Sequence, residues 1–271
     1  MSAKVLKRRL DRRLCDDGLV GDIKAALALI MEGKVLVDDK PISSAGFMVR
    51  DDSSVRLKAG KDWVSRGAYK LLTAVKSFGL NFTGRICLDV GSSTGGFTQV
   101  MLRGGAVKVY SLDVGYGLLD WSLRKDPRVA VMERQNARFM TKDMFAPIPD
   151  FASSDASFIS LKLLLGPMAN VTSTNAEAVV LVKPQFEAKH EDVCEGGVVR
   201  DPEVQMKVLD ELLKFIAENT QWNVIGVAWS GIKGTKGNIE YLLHLKKGIS
   251  PIDVDVAKLV LDSHLALDHG L

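Results

Sequence analysis

Cysteine is scarce in this chain: Cys15, Cys87 and Cys194 are the three among 271 residues, and they stand far apart. No Cys-x-x-Cys pair occurs, so neither a zinc site nor a disulfide framework is implied, and a reducing compartment is the expected home. Long apolar runs are missing as well. A membrane-spanning helix needs roughly 18 consecutive apolar residues, whereas the longest stretch here, around residues 25–31, is short and amphipathic. No apolar segment follows the basic start, so no secretory leader is expected and the chain reads as cytoplasmic. Neither sign of charge dominates: 36 Lys and Arg face 33 Asp and Glu, a net charge of +3. That balance permits nucleic acid as a partner without requiring one, so the distribution of charge decides. Internal repeats and low-complexity tracts are absent.

What is present is the composition of an ordinary globular protein, 46% hydrophobic and 25% charged, with room for one large and one small domain. Between Lys4 and Cys15 the chain concentrates Lys and Arg, with Val5, Leu6, Leu10 and Leu14 near helical spacing. A helix there, ended by Asp16-Asp17-Gly18, would present Lys4, Lys7, Arg8, Arg9, Arg12 and Arg13 on one face with only Asp11 against them. Such a run serves either solvation alone or phosphate binding. A second helix is expected over residues 19–32, with Leu19, Ile23, Leu27 and Ile30 inward and Gly33 closing it. Short strands follow at 34–38 and 54–58. The expected division is a small α+β domain over 1–59, a linker over 60–64 in which Trp63 is a hinge packing point, and a large domain over 65–271.

From residue 65 the pattern becomes strand–helix alternation. An opening helix over 65–78 has Ser65 as its N-cap and Leu71, Leu72, Val75 and Phe78 as its inner face, flanked by Lys70. Strands are predicted at 85–90, 107–113, 129–133, 151–155, 178–183, 224–229 and 239–245. Helices are predicted near 97–103, 118–124, 158–169 and 202–219, the last opened by Asp201, Pro202 and Glu203. A further helix over 256–267 ends the chain. The fold class is therefore α/β: a doubly wound, Rossmann-like sheet with a small α+β domain before it.

Residues 85–100 organise the large domain: a strand carrying Asp89, the turn Gly91-Ser-Ser-Thr-Gly95-Gly96, and a helix start at Phe97. Such a turn offers backbone N–H groups to an adenosine-containing ligand. Asp113 ends the next strand, where an acid can accept from ribose hydroxyls, and the third strand ends in Glu133 with Asn136 just beyond, near the adenine edge. Ser93 lies inside the turn. With no Lys or Arg cluster around the glycines, S-adenosylmethionine fits better than a diphosphate. Ligands of open α/β sheets lie beyond the carboxyl ends of the strands. Asp155 and Lys183 stand at such ends, Glu240 opens the last strand, and Lys70 lies on the helix before the sheet. Each alone would be an ordinary surface charge or ion pair. Together, two lysines and two acids at one sheet edge point to proton chemistry, because desolvation beside another cation loosens a lysine's proton.

Two resemblances add to this reading. Arg9-Leu10-Asp11, Gly18-Leu19, Ala25-Ala26, Ile30 and Gly33-Lys34-Val35-x-Val37-Asp38 resemble the S4 RNA-binding module, which docks on structured RNA through basic helical faces. That resemblance implies RNA contacts at Lys7, Arg8, Arg9, Arg12, Arg13 and Lys24. Where the module usually carries Ser-Arg, this chain has Gly21-Asp22, which removes a phosphate contact that Lys24 would have to replace.

The second resemblance covers nearly the whole chain. Ser65-Arg66-Gly67-Ala68-Tyr69-Lys70-Leu71, Leu88-Asp89-Val90-Gly91-Ser92-Ser93-Thr94-Gly95-Gly96-Phe97-Thr98, Asp113-Val114-Gly115-Tyr116-Gly117, Asp155-Ala156-Ser157-Phe158-Ile159-Ser160-Leu161, Val182-Lys183-Pro184-Gln185-Phe186-Glu187, Gly196-Gly197-Val198-Val199-x-Asp201-Pro202 and Gly237-Asn238-Ile239-Glu240-Tyr241 closely resemble the TlyA family. It joins an S4 module to an FtsJ-like, class I ribose 2′-O-methyltransferase. The resemblance implies a catalytic tetrad of Lys70, Asp155, Lys183 and Glu240, with Lys183 deprotonating the hydroxyl. It implies cofactor contacts at Gly91, Ser93, Gly95, Gly96, Asp113, Asn136 and Asp155, S-adenosylmethionine as cofactor, no metal, and a ribosomal RNA cytidine as target. Phe158, Phe186 and Tyr241 are candidates to stack on a splayed base, or else core residues. Two other readings remain open at this point: a membrane-active protein, since TlyA-like proteins often carry a haemolysin label, and an RNA-binding protein with an inactive methyltransferase domain.

Overall fold

The computed structural model describes residues 6–58 and 62–268, so Lys4, Val5 and residues 60 and 61 of the expected linker lie outside the described residues. Two compact units divide between Asp62 and Trp63.

The smaller unit runs β1 (Lys7–Arg9), α1 (Leu10–Asp16), α2 (Ile23–Met31), β2 (Val35–Val37), β3 (Lys40–Ile42), β4 (Met48–Arg50) and β5 (Val55–Leu57). Lys7, Arg8 and Arg9 are strand rather than helix, because their backbone pairs antiparallel with Arg50, Val49 and Met48. Only Arg12 and Arg13 of the basic run lie on α1, which begins where Leu10 and Leu14 form a fully buried i, i+4 pair. Likewise α2 starts at Ile23, because the Asp22 carboxylate caps it, accepting from the Ala25 N–H at 2.8 Å. Ala26 and Ile30 face inward while Ile23 is exposed, so the inner stripe is rotated from the expected one. The basic residues are also less free than expected. Arg8 pairs with Asp51 at 2.6 Å, Arg9 with buried Asp11 at 2.6 Å and Arg13 with Asp17 at 2.7 Å. Lys7, Arg12 and Lys24 make no ion pair with a described residue.

The larger unit runs α3 (Gly67–Phe78), β6 (Ile86–Val90), α4 (Gly96–Arg103), β7 (Lys108–Leu112), α5 (Trp121–Arg124), β8 (Val129–Met132), β9 (Phe151–Ser154), α6 (Leu165–Val171), β10 (Glu177–Val182), α7 (Pro184–Glu187), α8 (Pro202–Asn219), β11 (Asn223–Trp229), β12 (Tyr241–Lys246) and α9 (Val256–Asp268). Its sheet has the order β11-β12-β10-β9-β6-β7-β8. All neighbours from β10 to β8 are parallel, and β12 is inserted antiparallel between β10 and β11. Alternate residues of each strand serve opposite faces. Cys87, Val109 and Leu181 pack with α3 and α4, and Leu88, Tyr110 and Val180 pack with α6, α8 and α9. Both faces are buried, which is why the strands read as near-continuous apolar runs.

Strand order reverses between β6 and β9, so their carboxyl ends open the crevice where open α/β sheets bind ligands. Trp63 packs on the α3–α4 side of the core under the Arg103 guanidinium, 4.4 Å from its ring centre. Arg66, not Ser65, is the residue preceding the first turn of α3. The helix expected over 158–169 is broken into a 3-10 turn at Leu161–Leu163 and α6, because the Ser160 side chain caps that turn.

Candidate active site

Asp89 anchors the crevice from below. It is fully buried and accepts from the Thr98 N–H at 2.9 Å, the Thr98 hydroxyl at 2.7 Å and the Ser153 hydroxyl at 3.3 Å. These bonds tie β6 to the first turn of α4 and to β9. Burial pushes its carboxyl up to about 7, against the opposing pull of those hydrogen bonds.

The glycine turn is shaped by close approach. At Gly91, with φ +78°, a Cβ would lie 2.8 Å from the Ala156 Cα. At Gly96 it would lie 2.4 Å from the Ser65 hydroxyl oxygen and 2.8 Å from the Ala68 nitrogen, so α4 and α3 meet backbone to backbone there. Gly91, Ser93 and Gly96 line the crevice, whereas Gly95 does not; it turns toward Leu119 and Leu123 of the α5 region.

One chamber of the crevice, about 1060 Å³, opens beyond β6 and β7 and is lined by Asp113, Asn136, Gly115, Leu118 and Arg138 among others. The Asp113 carboxylate accepts from the Ser93 N–H at 2.8 Å and the Gly115 N–H at 2.7 Å, so it knits two loops together while facing the chamber. Asn136 accepts from the Arg138 N–H at 3.1 Å through its side-chain oxygen. Glu133 is not in the lining. It accepts from the Gly117 N–H at 3.0 Å and from Arg124, whose guanidinium holds its carboxyl below the usual range.

A second chamber, about 490 Å³, contains Lys70, Asp155, Lys183 and Glu240. The four side chains form a chain of alternating charge. Glu240 Oε2 lies 2.7 Å from Lys70 Nζ, Lys70 Nζ lies 3.6 Å from Asp155 Oδ2, and Asp155 Oδ1 lies 2.7 Å from Lys183 Nζ. Lys183 also donates to the Ser157 hydroxyl at 2.8 Å and the Asp155 carbonyl at 3.1 Å. Lys70, Lys183 and Glu240 are buried, so each charge is held by its partners rather than by water. Asp155, Ser157, Gly91, Ser93, Phe158 and Phe186 line both chambers.

Of the three aromatic candidates, Phe158 is 90% exposed and held at φ +62°, with its ring 5.1 Å from that of Phe186. Tyr241 is core: it is fully buried, with its hydroxyl bonded to Gln205 and Ser263, so no base can stack on it. The sequence reading overlooked three supporting residues. Glu187 accepts from the Ser160 hydroxyl and the Leu161 N–H, both at 2.6 Å, and so holds the loop that carries Phe158. Asn238 accepts from the Val199 N–H and donates to the Gly197 carbonyl, both at 2.9 Å. Ser157 receives the Lys183 ammonium. All three sit inside motifs quoted above; only their role as struts was hidden.

The family model for FtsJ-like methyltransferases matches residues 63–247. The 16S/23S rRNA (cytidine-2′-O)-methyltransferase TlyA of Mycobacterium tuberculosis is 41% identical over 242 residues, covering 89% of this chain and 90% of that protein. Hemolysin A of Brachyspira hyodysenteriae is 39% identical over 238 residues, 87% of this chain and 98% of its own. A solved structure from Streptococcus thermophilus that carries a hemolysin name is 38% identical, with a TM-score of 0.73 and 97% of each chain covered.

Proposed function

Because the chain belongs to the FtsJ-like methyltransferase family, we propose that it transfers a methyl group from S-adenosylmethionine to a ribose 2′-hydroxyl of ribosomal RNA, a cytidine being the target, as the name of its Mycobacterium tuberculosis relative records. The observation that carries this reading is the Asp155 carboxylate. It faces both chambers and is gripped by two buried lysines, one of them 2.7 Å away.

The larger chamber fits the cofactor by its chemistry. A carboxylate, Asp113, and an amide, Asn136, face it, and Arg138 is the one cation among its described lining residues. Gly91 keeps the turn clear where a Cβ would press on Ala156. Gly91, Ser93, Asp113 and Asn136 would hold the ribose and adenine, with Gly95 and Gly96 setting the turn's shape. When bound, S-adenosylmethionine supplies an electrophilic methyl group on a cationic sulfur.

This chain's own residues do the rest. Lys183, held 2.7 Å from Asp155 and 2.8 Å from Ser157, two residues that line both chambers, would orient the 2′-hydroxyl and, as the neutral amine, take its proton as the new oxygen–carbon bond forms and the methyl–sulfur bond breaks. Lys70 and Glu240 hold Asp155 in register. Much of the rate is expected from placing hydroxyl and methyl in line. Phe158 and Phe186 offer aromatic surface to a splayed base. The smaller unit, S4-like in its sequence, would grip the RNA through Lys7, Arg12 and Lys24, with Arg8, Arg9 and Arg13 contributing while paired.

The hemolysin names of two relatives point to membranes, but no described helix is long and apolar enough to cross one. The test is tritiated methyl transfer onto separated ribosomal subunits lacking the modification. Label on a ribose 2′-oxygen with the intact protein, and none with Lys183→Ala, is the expected result; equal label from both would overturn the assignment of the base.

A further inference from the structure

Gln185 follows Lys183 by two positions, in the first turn of α7, and lines the chamber that holds the four charged residues. Its side-chain oxygen is buried and has no hydrogen-bond partner. Leaving a buried acceptor unpaired forfeits its hydration with nothing in return, and such atoms are rare enough to need a reason. The buried oxygens of Asp155 and Glu240 nearby have their reason in Lys183 and Lys70, each 2.7 Å away. Gln185 has no such cation. The Phe158 and Phe186 rings, 5.1 Å apart, line the same chamber and have no donor to give.

We propose that Gln185 is a specificity-determining residue, whose amide oxygen accepts from the exocyclic amine of the target base and so selects cytidine over uridine. This rests on the 2′-O-methyltransferase reading above. The unsatisfied atom is an acceptor, so its complement is a donor. Cytosine carries an amine at position 4, where uracil carries a carbonyl oxygen that would meet the amide oxygen lone pair to lone pair. An extruded base is read in this manner, by stacking on aromatic rings and by hydrogen bonds to its pairing edge. A buried group that is satisfied only by the right substrate discriminates more strongly than an apolar pocket does.

The test compares the intact protein with Gln185→Ala and Gln185→Met on ribosomal subunits whose mapped target nucleotide is cytidine or, by rRNA mutation, uridine. Gln185→Met keeps the side-chain volume and removes the acceptor. Calorimetric binding of S-adenosylmethionine confirms that each variant is folded. The intact protein should favour cytidine by about tenfold or more, and both variants should lose about 10- to 100-fold on cytidine while changing little on uridine. A cytidine-to-uridine ratio unchanged in a folded Gln185→Met protein would overturn the role of Gln185 alone. Failure of the intact protein to methylate any subunit would overturn the parent reading, and this proposal with it.

Discussion

Lys70 of α3 and Glu240, just before β12, meet at 2.7 Å in a buried ion pair that joins the first helix of the larger unit to its last strand. Removing one partner of such a pair strands the other, at a cost of about 3–5 kcal/mol, more than the net worth of the intact pair. Lys70→Met and Glu240→Gln should therefore each lower the denaturation midpoint strongly. The Lys70→Met/Glu240→Gln double variant should lose clearly less than the sum of the two. Chemical denaturation of all four proteins measures this coupling; simple additivity would show that the two side chains act independently.

Lys183 differs in having the crevice on its open side. Lys183→Met should lower kcat by about 10²–10⁴, the range of a general base, while leaving S-adenosylmethionine affinity within about threefold, since Lys183 lines only the smaller chamber. Single-turnover methyl transfer and calorimetry separate the two effects.

The contact of α4 with α3 gives a stability prediction. A Gly96→Ala methyl would sit 2.4 Å from the Ser65 hydroxyl oxygen and 2.8 Å from the Ala68 nitrogen. Overpacking of this kind costs about 1–3 kcal/mol. It would also push α3, and Lys70 with it, away from Asp155. Ser65→Gly should restore part of the loss and not all, because the Ala68 backbone remains in the way. Melting temperatures of the three variants decide.

These residues also mark what the sequence makes legible. The seven strands stand out because both faces of the sheet are buried, and α8 because Asp201 and Pro202 announce its start. Lys183 is conspicuous as a charge closing an apolar strand. Other features depend on partners distant in the chain. Lys7–Arg9 shows no strand periodicity, and only pairing with Met48–Arg50 makes it one. The same pairing accompanies the Arg8–Asp51 contact, which neutralises part of the basic face. The antiparallel insertion of β12 leaves no trace in hydrophobic pattern, since a strand buried on both faces reads alike in either direction. The buried, unpaired oxygen of Gln185 exists only once the walls around it are assembled.

Asp89 makes folding stability depend on pH with a definite sign. Its carboxyl titrates near 7 when folded, against an ordinary 3.8. A raised carboxyl binds its proton more tightly in the folded state, so its contribution is greatest at low pH and is lost as pH rises from about 4 through 7. Three pH units at about 1.4 kcal/mol each set an upper limit of about 4 kcal/mol. Other carboxylates titrate over part of this window, so the comparison must be with Asp89→Asn, which keeps an acceptor for the Thr98 N–H. Melting temperatures of the intact protein should fall relative to those of Asp89→Asn between pH 5 and 7; parallel curves would sink the assignment.

The smaller unit separates arginines that hold the fold from cations left for RNA. Arg9 neutralises Asp11, which is 2% exposed and whose carboxyl it holds below the usual range. Arg9→Ala should therefore unfold or loosen this unit, and lower RNA binding through that as well as through the lost cation. Arg12 and Lys24 are exposed and make no ion pair with a described residue. Arg12→Ala/Lys24→Ala should leave the melting temperature within about 1–2 °C, the usual range for surface changes. If both touch phosphate, subunit affinity falls and the slope of log affinity against log salt flattens by about one for each contact removed. Asp22 bears on the same point. Its carboxylate is occupied as the cap of α2, bonded to the Ala25 N–H at 2.8 Å, so part of its repulsion toward a phosphate is already offset. Asp22→Asn retains the cap and removes the charge. It should tighten subunit binding modestly at low salt and converge with the intact protein at high salt; a loss of affinity at every salt concentration would show that the carboxylate itself contributes to RNA binding.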